Sequence, residues 1–261
     1  MRYPLLAAVL AWLPFTAAAQ PVRAVYEVHA AGMTVLELEA ELDLTAEGYR
    51  FTTLARTRGL AAVFASGEQR AQVRGAWAGI AATPQAYASD GVWRGRARRT
   101  ELAWASGDPV IRELVPLVDE EREDVPADLQ RGTVDALSAL AQFSREVGRT
   151  GQCEAQAQVF DGRRRNDYVA RTAGRDLIRP WRAAWHGEAL RCSFEWRLVA
   201  GFRRDRSVDE GRPQIGTAWL ASPFPGAPPI PVRVEIPSRW FGTATAILLR
   251  ASASAVAEAR Q

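Results

Sequence analysis

The stretch Val35–Leu44, which reads Val-Leu-Glu-Leu-Glu-Ala-Glu-Leu-Asp-Leu, is the feature that most restricts how this chain can fold. Its side chains alternate between two sets: Leu36, Leu38, Ala40, Leu42 and Leu44 in one, and Val35, Glu37, Glu39, Glu41 and Asp43 in the other. A helix would spread the four acids around its circumference, whereas an extended strand places them all on one face. The segment is therefore predicted to be a β-strand with one buried face and one face in water.

Similar but less regular alternation recurs along the chain and predicts further strands. These segments lie at 22–30, 49–57, 69–77, 93–104, 194–200, 217–221, 232–236 and 243–250. Residues typical of turns separate several of them, at 46–48, 66–67, 89–91, 106–109 and 161–162. Many strands joined by short turns predict a mainly β protein, in which an antiparallel sheet curls into an open or partial barrel.

One segment, 133–147, has helical spacing instead of alternation. Helical spacing relates Leu137, Leu140, Phe143 or Ser144, and Val147. Thr133 or Asp135 can cap the start of a helix here, and Gly148 can end it. We therefore expect a single amphipathic helix packed against the sheet.

The first 19 residues have the three-part pattern of a secretory signal peptide. Arg2 precedes an apolar run from Leu5 to Phe15, and alanines occupy positions 17–19. The alternative, a membrane anchor, is disfavoured because the run is well short of the roughly 20 residues that span a bilayer. We expect cleavage after Ala19, export to the periplasm, one β-rich domain at 20–250 and a flexible tail at 251–261. No later stretch is apolar enough to span a membrane.

Export changes how the two cysteines, Cys153 and Cys192, are interpreted. Two thiols in an oxidising compartment usually pair, whereas in the cytosol they would suggest metal or redox chemistry. We expect a disulfide between them. Closing a loop of about 40 residues would stabilise the fold by roughly 4 kcal/mol in the chain-entropy model.

The basic character of the chain is weaker evidence for a partner than it first looks. The formal net charge is +3, and all 33 basic residues other than histidine are arginines. The arginine clusters are interleaved with acids, and no pattern of stacking aromatic residues accompanies them. We therefore expect no nucleic-acid binding.

Three consecutive arginines, Arg163, Arg164 and Arg165, follow Asp161-Gly162. Asp-Gly between two apolar runs is a strong hairpin signal, because both positions tolerate positive φ. The arginines would then begin the return strand. They could bind an anion or a lipid headgroup, since guanidinium groups match phosphate oxygens bidentately. The alternative is that they are solvated, or are paired with Asp161 and Asp167.

No pattern of catalytic residues is evident. His29 and His186 lie in different segments, and neither has the spacing of metal ligands. The chain has no Gly-x-Ser-x-Gly elbow, no phosphate loop and no dinucleotide glycine pattern. We expect a protein without metal or cofactor that is not an enzyme. A hydrolase that acts on glycans through Asp and Glu carboxylates stays open as the alternative, since these residues are too plentiful for spacing to decide.

The sequence holds nine tryptophans, several of them in predicted strands. Core packing is one reading of these side chains. The other is that a curved sheet uses some of them to line an apolar ligand site. The candidates for that lining are Trp77, Trp93, Trp104 and Trp196. An outer-membrane barrel was a further possibility for so many strands, but the acidic face of Val35–Leu44 argues against it.

Several short motifs resemble those of the DUF3108 family of exported bacterial proteins. They are Phe160–Tyr168, Tyr26–Gly32, Ala55–Leu60, Val134–Leu140, Pro231–Ile236 and Gly242–Leu249, so the resemblance covers about residues 22–250. Ala136 stands where proline is common in the family, which affects only the expected start of the helix. The resemblance implies a periplasmic β-rich domain similar to the open barrels of periplasmic lipid carriers. It implies no catalytic residue, because the family has no assigned function.

From these observations we expect a soluble periplasmic protein of non-enzymatic type. Its partner would be a lipid or another apolar or amphipathic molecule, or else a protein of the cell envelope.

Overall fold

The computed structural model describes residues 20–64, 66–117, 122–205, 209–238 and 242–254. The predicted signal peptide, residues 1–19, and residues 255–261 of the predicted tail lie outside this part. The strands are β1 Val22–Ala30, β2 Met33–Leu44, β3 Gly48–Thr57, β4 Gly67–Ala78, β5 Ala81–Trp93, β6 Arg96–Ala105, β7 Asp108–Val115, β8 Ala155–Phe160, β9 Arg165–Ile178, β10 Gly187–Ala200, β11 Gln214–Ala221, β12 Ile230–Ser238 and β13 Gly242–Ala253. The helices are α1 Gly59–Phe64, α2 Ala127–Gln130 and α3 Ala136–Thr150.

All thirteen strands belong to one antiparallel sheet, in the order β7-β6-β5-β4-β3-β2-β1-β13-β12-β11-β10-β9-β8. The chain forms two meanders, β1 to β7 and β8 to β13, and the second meander returns to pair with the first through β13 and β1. The strands β7 and β8 are the two edges, so the sheet is not closed. The predicted class, a mainly β protein with a curled antiparallel sheet, is confirmed.

The sheet curls until its two edges approach each other. A Cβ atom added at Gly162, in the turn after β8, would lie 2.7 Å from Cγ2 of Thr100 in β6. The connection between the meanders fills the space that remains: the amide of Val134 donates to the carbonyl of Gln158 in β8. On the other side, the amide of Gly132 donates to Oδ1 of Asp108 in β7. The barrel is therefore bridged by connecting residues where strand pairing is absent.

Strand β2 sorts its side chains as the alternation predicted. Leu42 and Leu44 are buried in the main hydrophobic core. On the opposite face Glu39 accepts hydrogen bonds from Arg23 and Arg56, at 3.0 and 2.9 Å. These two guanidinium groups lower the pKa of the Glu39 carboxyl below its ordinary value. Glu39 thus joins β1 and β3 through ion pairs on the outer face.

Helix α3 is the predicted amphipathic helix, with slightly different ends. Asp135 caps its start by accepting hydrogen bonds from the amides of Leu137 and Ser138. It continues past Gly148 and ends at Gly151, which has the left-handed conformation (φ 68°) that favours glycine. The short helices α1 and α2 were not predicted. None of the helices in the described residues is long and apolar enough to cross a bilayer.

Among the boundaries that differ from the structure are those predicted at residues 89–91 and at 250–251. Residues 89–91 are not a turn, because β5 continues to Trp93 and the chain reverses at Arg94-Gly95. Gly91 instead allows a close approach between strands: an added Cβ would lie 2.3 Å from the carbonyl oxygen of Glu68. At the C-terminal end β13 continues to Ala253, which pairs with Val22 of β1, so residues 251–253 belong to the sheet and not to a tail.

Candidate functional site

An apolar cavity of about 230 Å³ lies between α3 and the strands β8 to β12. It is lined by Ala136, Ala139, Leu140, Gln142, Phe143, Ala155, Gln156, Ala157, Val159, Tyr168, Val169, Ala170, Phe194, Ala218, Pro231 and Val234. This lining contains no charged side chain. Its polar side chains are two glutamines and the tyrosine.

Helix α3 is held against both meanders: Ser144 donates to the carbonyl of Pro229, and Val147 packs with Leu190 of β10 and Leu220 of β11. The hydroxyl of Tyr49 in β3 donates to Oγ of Ser138 at 2.7 Å. The amide of Ala82 in β5 donates to Oε1 of Gln142 at 2.8 Å. Leu137 and Ala141 are buried on this side of the helix. The opposite side, which carries Leu140, is left facing the cavity.

Leu140 marks the entrance to the cavity. It sits on a helix that is otherwise well packed, yet 44% of its surface is exposed. Phe143, one turn further along the helix, is partly buried against the cluster at the bottom of the cavity. A large apolar side chain that remains exposed beside an apolar cavity is typical of a binding site.

The far wall of the cavity is aromatic. Phe194 of β10 lies across Gly216 of β11, where an added Cβ would be only 2.4 Å from Cζ of the ring. Glycine is therefore required at this position for the ring to take its place. Trp196 stacks on Phe194 with 5.6 Å between ring centroids. The wall is thus held by packing within the sheet.

Tyr168 is the ionisable residue of the lining. Its pKa is raised above the ordinary value, mainly because burial disfavours the phenolate, while nearby Arg164 acts in the opposite direction. Its hydroxyl therefore stays protonated at neutral pH. The cavity offers hydrogen bonds from neutral groups and no acid–base pair.

The predicted disulfide is present at the base of this region. Cys153, just after α3, is bonded to Cys192 in β10, with their Cα atoms 5.8 Å apart. Both cysteines are fully buried, in a cluster against which Phe143 and Phe194 pack. The bond ties the end of α3 to the strand that carries the aromatic wall.

The four tryptophans that were candidates for ligand lining lie outside the cavity wall. The indole of Trp77 donates to the carbonyl of Thr45 and lies under the guanidinium of Arg145. Trp104 donates to the carbonyl of Thr133, and Trp93 is exposed at the end of β5. Trp196 comes nearest to the predicted role, since it supports Phe194.

The residues that do form the lining were not predicted from the sequence. Ala155 and Ala157 alternate with Gln156 along β8, and Leu140 and Phe143 share one side of α3. Both patterns are visible in the sequence. They carry no sign that the two elements face each other, since that contact depends on the curl of the whole sheet.

The three arginines of the hairpin have different environments. Arg164 pairs with Asp161, its Nε donating to Oδ2 at 2.8 Å. Arg165 is only 4% exposed, and its guanidinium donates to Asp167 and to the carbonyl of Leu129. Arg163 donates to the carbonyl of Pro116. Each guanidinium therefore has a partner within the protein, and the binding of an anion by this cluster stays a prediction.

Among the described residues, Asp135 is the one carboxylate that is buried. Besides capping α3, it accepts a hydrogen bond from Oγ of Ser138, which itself accepts one from Tyr49. Burial raises the pKa of Asp135, against the opposing effect of these hydrogen bonds. Both carboxylate oxygens already accept hydrogen bonds from Leu137 and Ser138 of the helix, so Asp135 has a structural role.

The histidines form no metal site with other residues in the part of the chain that is described. Nε2 of His29 lies 3.3 Å from Oε2 of Glu27. The imidazole ring packs against the indole of Trp181 in a T-shaped arrangement, with 5.5 Å between the ring centroids. No group of three or more His, Cys, Asp or Glu side chains among residues 20–64, 66–117, 122–205, 209–238 and 242–254 is placed to hold a metal ion.

Comparison with known proteins gives a family and a fold. The family model described as "Protein of unknown function (DUF3108)" matches residues 25–248. A solved structure, the β-barrel-like protein of domain of unknown function DUF1849 from Brucella abortus, is similar with a TM-score of 0.57 and 13% sequence identity, covering 91% of this chain and 99% of that one. At this identity the likeness concerns the fold alone. No curated protein matches the chain.

Proposed function

The chain belongs to the DUF3108 family, whose function is unknown, and from the cavity described above we propose that it is a non-enzymatic protein of the periplasm that binds an apolar or amphipathic molecule. The observation that carries this proposal is the uncharged lining of the cavity between α3 and β8–β12. A lining of this kind favours hydrocarbon over charged groups, because burying apolar surface is favourable and burying an unpaired charge is costly.

The size of the cavity limits which part of a ligand it can hold. Its volume of about 230 Å³ lies below the roughly 300–1,000 Å³ typical of sites that enclose drug-sized molecules. The cavity therefore suits the apolar part of a larger molecule. The polar part would remain near the entrance at Leu140, which makes an amphipathic ligand such as a lipid the favoured class.

The walls of the cavity are fixed by contacts within the protein. Hydrogen bonds to Tyr49 and Ala82 hold α3 on one side, and the disulfide holds the end of the helix to β10 on the other. A preformed site lowers the entropy that binding must overcome.

The disulfide also supports the proposed location. Such bonds persist in oxidising compartments and are rare in the cytosol. A buried disulfide between Cys153 and Cys192 fits an exported protein, as does the N-terminal sequence pattern. The alternative, a hydrolase that uses carboxylates, finds no support in the cavity, which contains neither Asp nor Glu.

The proposal is tested with an apolar fluorescent probe, N-phenyl-1-naphthylamine, and a variant that fills the cavity. Ala157→Phe adds a ring to an inward position of β8, and we expect it to weaken probe binding at least about tenfold, which corresponds to roughly 1.4 kcal/mol. The matched control is Ala105→Phe, at an exposed position of β6, which should bind the probe like the wild type.

Mass spectrometry of lipids extracted from the protein, purified without detergent from its native envelope, tests the ligand directly. We expect a lipid that co-purifies with the wild type and is depleted in Ala157→Phe. Probe binding that is equal in the two phenylalanine variants would show that the cavity is not the site.

A further inference from the structure

Exposed large apolar side chains are distributed unequally between the two rims of the first meander. One rim carries the connections β1–β2, β3–β4 and β5–β6, and the other carries β2–β3, β4–β5 and β6–β7. On the first rim Met33, Val63, Val92 and Trp93 are exposed, with 76% of Val63 and 46% of Trp93 accessible. Near the second rim Ile80 is exposed, and Val110 and Ile111 at the start of β7 are 37% and 38% accessible, so the more strongly exposed apolar side chains lie on the first rim.

The apolar side chains of the first rim lie on connections that touch one another. The ring of Trp93 covers Gly67 at the start of β4, where an added Cβ would be 2.5 Å from Cε3. The amide of Arg94 donates to the carbonyl of Ser66 at 3.0 Å. Helix α1 lies against β2, with the Cβ position of Gly59 2.7 Å from the carbonyl oxygen of Thr34. Three adjacent connections thus form one surface.

Two arginines with exposed guanidinium groups border this surface. Arg94 and Arg96 flank the turn that follows Trp93, and both are exposed. Neighbouring arginines are paired with acids: Arg56 with Glu68 and Arg99 with Glu113. Within the described residues neither Arg94 nor Arg96 makes an ion pair. The surface therefore combines apolar side chains with uncompensated positive charge.

We call this surface the rim patch and define it as Met33, Val63, Val92, Trp93, Arg94 and Arg96. We propose that the rim patch docks on the surface of a bilayer that contains anionic lipids. Tryptophan and aliphatic side chains enter the boundary between headgroups and acyl chains, while arginines remain at the level of the phosphates, which they bind bidentately. Attraction to an anionic surface strengthens binding with each arginine that lies near it.

The rim patch ends before Leu117, which is exposed just after β7. Acidic residues, 119–121, follow Leu117 in the sequence. The docking surface is centred on the β5–β6 turn and α1, where Val63, Trp93 and Arg94 are exposed. This proposal uses no residue of the cavity between α3 and β8–β12.

Sedimentation with lipid vesicles tests the proposal on the full chain as purified. The vesicles are phosphatidylcholine alone, or phosphatidylcholine with 30 mole per cent phosphatidylglycerol, roughly the content that gives a strongly negative surface. We expect the wild type to bind the anionic vesicles at least about tenfold more tightly, with affinity falling as salt is raised, because salt screens the attraction.

Two double variants separate the apolar and the charged parts of the rim patch. Val92→Ser/Trp93→Ser and Arg94→Glu/Arg96→Glu should each reduce binding to anionic vesicles at least about tenfold. The matched control is Ile80→Ser/Leu177→Ser, which removes two exposed apolar side chains elsewhere and should bind like the wild type. Urea unfolding of each variant shows that it is folded.

Wild-type binding that does not depend on phosphatidylglycerol would overturn the proposal. So would wild-type affinity in either rim-patch variant, or an equal loss of affinity in the control. Ala157→Phe, which fills the cavity, should bind vesicles like the wild type. Probe binding therefore tests the cavity proposal, and vesicle binding tests the rim-patch proposal separately.

Discussion

Asp135 lies at the start of α3, where the sequence offered two capping residues and the structure uses one. The side chain of Thr133 donates to the carbonyl of Gln130 instead. Asp135 caps the helix and accepts from Ser138, which links it to Tyr49 in β3, 89 residues before Ser138. The capping role could be predicted from residue type and position. The link to Tyr49 could not, because it joins residues that only the folded sheet brings together.

We expect Asp135→Ala to lower the free energy of unfolding by about 2 kcal/mol, since it removes the cap and leaves buried partners without an acceptor. Asp135→Asn keeps an acceptor for the helix amides and should cost less. Urea unfolding with the disulfide intact measures both changes. The exposed Asp128→Asn in α2 is the control, and a loss equal to that of Asp135→Ala in this variant would contradict the prediction.

The stability difference between Asp135→Asn and the wild type should depend on pH. Burial raises the pKa of Asp135 in the folded protein above its ordinary value of 3.8. The proton is then held more tightly in the folded state, so the contribution to stability is full below the unfolded pKa and is lost as pH rises through the folded pKa. Asp135→Asn should therefore gain stability relative to the wild type between pH 4 and pH 7. A difference that stays constant across this range would show that the folded pKa is not raised.

At the scale of elements, local sequence patterns predicted most of the strands and the position of α3, missed β7 (Asp108–Val115), and were less reliable about the ends. Asp161-Gly162 does reverse the chain between β8 and β9, but only Arg165 of the three arginines belongs to the strand. Gly91 looked like a turn residue and is instead a strand residue opposite Gln69. A glycine needed for close approach and a glycine needed for positive φ are identical in the sequence.

The disulfide connects two elements that are far apart in the chain, and its removal should affect both. Cys153 and Cys192 are 39 residues apart, so the chain-entropy model gives a loss of about 4 kcal/mol for Cys153→Ala/Cys192→Ala. Urea unfolding of this variant and of the wild type, with and without reductant, measures the change. Reductant should destabilise the wild type and leave the variant unaffected. The reductant must be shown to reduce the disulfide of the denatured wild type. If it does, and the urea midpoint of the wild type is nevertheless unchanged, the disulfide does not contribute the expected stability.

At the scale of the whole molecule, the arrangement rests on two meanders that meet through β1 and β13. The connection through α2 and α3 carries the chain from one edge of the sheet to the other, and α3 packs within the curl. The cavity lies on the side of α3 that carries Leu140 and Phe143, between the helix and β8 to β12. The rim patch arises in the same way, from three connections that are distant in sequence and adjacent in the sheet.

An open sheet predicts a gradient of protection against hydrogen exchange. Strand β7 has no partner strand on its outer side, whereas β1 is paired with β2 and β13 along both sides. We expect amides of β1 to exchange at least about tenfold more slowly than those of β7, because edge amides open to solvent without breaking the sheet. Mass spectrometry of peptic fragments measures this, with β6 as the internal reference that is paired on both sides. Equal protection of β6 and β7 would indicate a closed barrel.

The sequence by itself determined the β character of the chain, the sorting of β2 into two faces, the position of an amphipathic helix and the pairing of the two cysteines. Each depends on side chains that are near in sequence or on the small number of ways in which two thiols can pair. The tertiary structure alone decided where the sheet is open, which is between β7 and β8, which side of α3 faces the cavity and which exposed residues gather at one rim. These depend on the accumulated twist and curl of thirteen strands, which no local pattern records.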